Sequence, residues 1–122
     1  MVFLRNASDH HTVALVPRPE RTRPDSDRVL QVHHFAMELA DNDAVLEARA
    51  FLRSKGIPIV FEGRRGPGGN MGIEFNDPDG YMLELYARMD QVADDGRSRP
   101  PSQFRRAKSL EEAMANPLPE AW

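Results

Sequence analysis

The chain has 122 residues, enough for one domain with a moderate core. Its apolar fraction of 40% and formal net charge of −3 are ordinary for a folded domain and give no reason to expect a nucleic acid or an anionic membrane as a general partner. It has no cysteine, which excludes disulfides and thiolate metal sites, and no apolar run of bilayer length or secretory-type h-region, so a cytoplasmic location is expected.

Residues 2–5 and 11–16 are β-rich runs separated by the turn-forming Asn6-Ala7-Ser8-Asp9. They read as a β-hairpin. Period-two alternation puts His11, Val13 and Leu15 on one face of its second strand. A lone hairpin is marginal, so it is expected to join a larger sheet. Residues 17–28, with Pro17, Pro19 and Pro24, read as a linker.

A strand is expected over residues 29–39. His34 shares a face with Val32, Ala36 and Glu38. His33 shares the greasier face with Phe35, Met37 and Leu39, which is expected to pack on a helix, making His33 structural. Residues 42–55 fit that helix. Val45, Ala48 and Leu52 form a stripe, Asp41 or Asn42 caps the start, and Gly56 and Pro58 end it.

Residues 57–62 and 70–75 read as strands, joined by a mobile glycine-rich basic loop, Gly63 to Gly69. In the second strand Met71, Ile73 and Phe75 oppose Asn70, Gly72 and Glu74. Asp77-Pro78-Asp79-Gly80 is a strong turn. It leads to a last strand, 81–87, with Met82, Glu84 and Tyr86 on one face. The order is β-hairpin, then βαβββ, an α+β fold. Residues 88–122 form a polar tail with a capping box at Ser109/Glu112 before a weak helix, 109–115. Its few apolar anchors are Phe104, Leu110, Met114, Leu118 and Trp122, so it drapes over the core or a partner, or is partly disordered.

Taken together, His11-Thr12-Val13-Ala14-Leu15, His33-His34-Phe35-Ala36, Arg65-Gly66-Pro67-Gly68, Asp77-Pro78-Asp79-Gly80 and Glu84-Leu85-Tyr86 resemble the vicinal oxygen chelate superfamily, which includes glyoxalase I, bleomycin-resistance proteins and type I extradiol ring-cleaving dioxygenases. The order is most similar to the catalytic half of the extradiol enzymes and covers about residues 1–87. The resemblance implies βαβββ units that pair into a cup around one metal. Residues 1–16 would be the final hairpin of an upstream unit, 17–28 a linker, and 29–87 a full unit, half of a cup-shaped barrel completed by dimerisation.

It further implies that His34 and Glu84 are metal ligands and that His11 is the histidine beside bound oxygen and substrate. Fe(II) is the implied metal, with Mn, Zn or Ni as other divalent candidates, and the ligand a small aromatic or oxygen-chelating molecule, a catechol-type diol. The family's other histidine ligand belongs to an upstream strand absent from these residues. Arg65 stands where those enzymes carry an active-site histidine, and Glu74 where they carry a tyrosine.

Each residue also has a plainer interpretation. His34 and Glu84 also fit a buried ion pair, and His11 a surface histidine; His10 reads as solvated. Glu74 fits a third oxygen ligand, a base, or an exposed polar residue. Arg64 and Arg65 fit either an anion site or a solvated loop. Three functions therefore follow as expectations: a homodimeric metal-dependent dioxygenase-like enzyme, a bleomycin-resistance-like dimer that binds a small molecule without chemistry, or a truncated relic.

Overall fold

The computed structural model describes residues 1–17, 32–92 and 94–120. Most of the expected linker, the start of the expected strand at 29–31, and the tail anchor Trp122 lie outside the described residues.

The described residues form two sheets. Strands β1 (Val2–Leu4) and β2 (Val13–Leu15) pair antiparallel as a hairpin. Strands β3 (Phe35–Glu38), β4 (Ile59–Arg64), β5 (Met71–Asn76) and β6 (Met82–Ala87) form the second sheet in the order β3-β6-β5-β4. β3 runs parallel to β6 and the other pairs are antiparallel, which gives the α+β, βαβββ architecture.

Helix α1 (Asn42–Ser54) crosses one face. The Asp41 carboxylate accepts from the Ala44 amide at 2.9 Å and caps it. Gly56, at φ +70°, ends it with a hydrogen bond from its amide to the Arg53 carbonyl. Val45 and Leu52 bury against Met71, Ile73 and Ala87. The Asp77 turn forms as the sequence dictates: its side chain accepts from the amides of Asp79 and Tyr81, and its carbonyl from Gly80.

Several expectations change. The hairpin does not join the larger sheet. It is tied to the segment after β6 instead, through His10 amide to Asp90 carbonyl (2.8 Å), Val92 amide to Ser8 carbonyl (2.6 Å) and Arg5 to the Val92 carbonyl (3.0 Å). β3 begins only at Phe35, and its greasy face is not covered by α1. Helix α1 lies over β4, β5 and β6, leaving Phe35 54% and Met37 46% exposed on the edge strand.

The glycine-rich segment is also shorter than expected, because Gly63 and Arg64 belong to β4. There the tail pairs with them. The amides and carbonyls of Arg64 and Ala107 exchange hydrogen bonds at 3.0 and 2.9 Å. A side chain at Gly63 would collide with the Ala107 carbonyl, and its φ of +128° suits glycine alone. The described residues of the tail are therefore folded structure. Helix α2 (Leu110–Ala115), capped by Ser109 Oγ on the Glu112 amide, packs on β4 and β5 with Leu110 and Ala113 fully buried. Arg64 holds it by donating to the carbonyls of Arg105, Ala113 and Asn116. Among the described residues no helix is long and apolar enough to cross a membrane.

Candidate functional site

The other face of the four-stranded sheet and the inner face of the hairpin line a half-open cavity of about 760 Å³. Period-two alternation decides its lining. Ile73 and Leu85 turn to α1, while Glu74 and Glu84 turn to the cavity with Met82 and Tyr86. The hairpin contributes Phe3 and His11, and the segment entering β3 contributes His34.

His34 and Glu84, fifty positions apart in sequence, meet here. His34 Nε2 lies 3.2 Å from Glu84 Oε2. The pairing follows from register: Ala36, two residues after His34, sits beside Glu84 on the parallel β3–β6 ladder. The hydrogen bond to Glu84 raises the His34 imidazole above 6.5 despite its partial burial.

Two residues that the sequence did not single out hold the carboxylate. Asn70 Nδ2 donates to Glu84 Oε1 at 3.0 Å. Gly72 makes room for it, since a Cβ there would lie 3.0 Å from the same oxygen. Gly72 stands opposite Tyr86 and diagonal to Glu84 on the β5–β6 ladder, and the sequence signal for this contact is a glycine between Asn70 and Glu74 on one strand face.

His11 lies on the hairpin side of the cavity, within electrostatic reach of Glu84 and His34. Burial, then the neighbouring His10, holds its imidazole below 6.5. Its Nδ1 is 3.0 Å from His10 Nδ1, and its ring lies 4.7 Å from that of Phe3. His10 is half-buried rather than solvated: it sets its edge on Phe3, and burial lowers it as well. His33 is not on a helix-packed face. It is exposed at the cavity with Nδ1 2.7 Å from His34 Nδ1.

Glu74 is not an exposed polar residue: its side chain is 3% exposed. Arg65 Nε and Nη2 donate to its two oxygens, each at 2.6 Å. The Arg65 guanidinium also lies 3.8 Å from the Phe61 ring centre. Arg64 and Arg65 are thus separated in role, one spent on α2 and one on the cavity wall.

Two ligand atoms at right angles around one ion, each about 2.1 Å away, stand about 3.0 Å apart. The His34–Glu84 separation of 3.2 Å matches that spacing. Among the described residues no third histidine or carboxylate completes a cluster.

The model of the Glyoxalase/Bleomycin resistance protein/Dioxygenase superfamily matches residues 1–85. Among solved structures, the Mn(II)-bound glyoxalase from Novosphingobium aromaticivorans matches with a TM-score of 0.66 at 24% identity, over 98% of this chain and 38% of that one. At that identity the likeness is one of fold, and this chain spans well under half the length of that protein. No curated protein matches.

Proposed function

The chain belongs to the glyoxalase/bleomycin resistance protein/dioxygenase superfamily, and from that premise we propose that it holds a divalent metal at His34 and Glu84 and takes an oxygen-chelating aromatic ligand, a catechol-type diol, into the cavity beside them. The observation that carries this reading is the 3.2 Å approach of His34 Nε2 to Glu84 Oε2 at the cavity wall. Mn(II) in the structural neighbour supports a divalent ion, and Fe(II) suits a site built of imidazole and carboxylate that leaves positions open. When bound, such an ion supplies Lewis acidity to the ligand's oxygens.

The chain's own residues then have distinct tasks. Asn70 and Gly72 fix the Glu84 carboxylate. His11, kept neutral by burial, is placed to accept a proton from a ligand hydroxyl. Phe3, Phe61 and Tyr86 give the ring apolar walls. The proposed reaction is ring cleavage of the diol with O₂.

With two ligands per chain, a second copy is the proposed source of the rest. Its support is the edge strand β3, unpaired on its outer side among the described residues and with Phe35 and Met37 exposed, together with the exposed hairpin residues Val2, Leu4 and Leu15. The β4 edge, by contrast, is closed by the tail at Ala107. A second reading, a dimer that binds a small molecule without chemistry, is favoured by one observation. Arg65 and Glu74 pair with each other, at the two positions where the resemblance to the extradiol enzymes implies an active-site histidine and an active-site tyrosine.

Elemental analysis of protein purified without chelator tests the proposal. Near-stoichiometric transition metal, lost in His34→Ala, supports it, and oxygen uptake with catechol then separates enzyme from binder. Metal-free protein that stays metal-free on incubation with Fe(II) or Mn(II) overturns it.

A further inference from the structure

The cavity holds a charged group that the metal pair does not use. Arg65 projects from the end of β4 into the cavity wall, with its side chain 58% exposed. It is braced on both sides, by the Phe61 ring at 3.8 Å and by the Glu74 carboxylate at 2.6 Å.

That contact occupies Nε and Nη2 only. The two N–H groups of Nη1 and the second N–H of Nη2 have no side-chain acceptor among the described residues, which leaves the Nη1/Nη2 edge to donate. Its neighbour Arg64 is different in kind, since its guanidinium is committed to three carbonyls around α2. Arg99 is likewise committed, to Asp90 and the Pro119 carbonyl. Arg65 alone of these three combines a fixed orientation with a donor edge on the cavity.

A braced guanidinium with a free planar edge matches a carboxylate. Its position relative to the metal pair is also set. Glu74 and Glu84 are register partners on adjacent strands, about 4.8 Å apart. A ligand held beside Glu84 would therefore lie one strand away from the Arg65–Glu74 pair, within reach of a ring substituent.

We infer that Arg65, held by Glu74 and Phe61, is a carboxylate-reading subsite, and that the ligand is an aromatic acid whose carboxylate adjoins its chelating oxygens. This rests on the proposed metal-dependent ligand site. Glu74 is a positioning residue, buried so that it orients Arg65 while leaving the Nη1/Nη2 edge for the ligand.

The test compares 2,3-dihydroxybenzoate with 2,3-dihydroxybenzamide, which have the same diol and nearly the same shape but differ in charge. Binding to the full chain is measured by equilibrium dialysis, anaerobically, with Mn(II) present. The acid is expected to bind roughly tenfold tighter than the amide. That ratio is expected to fall to about one in the double variant Arg65→Met/Glu74→Gln, which leaves no buried charge unpaired. It is expected to rise in Glu74→Gln, where Arg65 loses its competing carboxylate. A merely structural role for the pair would weaken both ligands alike and leave the ratio unchanged. A ratio near one in the natural chain, or one indifferent to the double variant, overturns the subsite while leaving the metal site intact. Failure of both ligands to bind overturns the parent reading and this one with it.

Discussion

Glu74 and Glu84 stand directly opposite each other across β5 and β6, both facing the cavity, and each has its own basic partner. Arg65 neutralises Glu74 and His34 meets Glu84. Like charges directly opposed on a sheet are destabilising, so neither carboxylate is tolerable there alone. The cavity floor thus carries two pairs side by side, one fixed by an arginine that never loses its proton and one whose histidine exchanges its proton.

The fixed pair has a measurable cost of disruption. Arg65→Met strands a carboxylate that is 3% exposed, and is expected to lower the unfolding free energy by about 1–3 kcal/mol. Removing both partners in Arg65→Met/Glu74→Gln is expected to recover most of it. Urea unfolding of the two variants decides this: equal losses in the single and the double variant would show that Glu74 finds other donors.

The exchangeable pair predicts a pH profile with two sides. In the unfolded chain the histidines have their ordinary value of 6.5. Glu84 raises His34 in the fold, so this contribution is complete below pH 6.5 and is lost as pH rises through the folded value. Burial lowers His10 and His11, so their contribution is present above pH 6.5 and is lost as pH falls through their folded values. These three groups together place a stability maximum near 6.5. His34→Gln is expected to remove the decline on the alkaline side, and His10→Gln/His11→Gln the decline on the acid side. Urea midpoints between about pH 5 and 8 are the readout, and a profile unchanged by His34→Gln would refute the assignment.

Much of this was legible in the chain because local chemistry and period agree. Asp41 and Gly56 bound α1 as their cap preferences require, and Ser109 starts α2. The period of two put His34 and Glu84 on the same side of their strands, and the parallel β3–β6 register brought them within 3.2 Å. What was not legible depended on long-range docking. Nothing local in Gly63-Arg64 announces that residue 107 will lie alongside, so a glycine-rich strand end looked like loop. Phe35 and Met37 carried a core pattern, but α1 stops short of the edge strand, and pattern alone cannot tell a covered face from one left open. His10 and Glu74 looked solvated because burial comes from Phe3 in one case and from Arg65 in the other.

Gly72 offers the sharpest test of the metal pair. Its neighbours permit a side chain only by moving Glu84 Oε1 at 3.0 Å, the Leu85 carbonyl at 3.1 Å or Tyr86 Cβ at 3.2 Å. The carboxylate is the softest of these. Gly72→Ala is therefore expected to reduce divalent-metal affinity about tenfold while moving the melting temperature little, and Asn70→Ala to act in the same direction. Calorimetric titration with Mn(II) beside a thermal melt separates the two effects. Full metal affinity in a well-folded Gly72→Ala protein would mean that Glu84 does not hold the metal in this orientation.

The tail makes a prediction of the opposite kind, large on stability and indirect on the site. The family match ends at residue 85, yet Leu110 and Ala113 belong to the same core as Ile73 and Val45. Leu110 is fully buried, so Leu110→Ala is expected to cost about 2–5 kcal/mol. The tail also reaches the cavity from behind. Arg99 grips Asp90 at 2.8 Å through two donors, and the Asp90 backbone carries both the His10 amide and the Gly68 carbonyl. Arg99→Met therefore loosens the hairpin and the glycine-rich segment together, and with them His11. Hydrogen exchange of the His10 and Asp90 amides is expected to quicken in Arg99→Met, while that of the α1 amides, held by Val45 and Leu52, stays slow. Equal quickening everywhere would mean that the tail supports the whole core rather than the cavity wall.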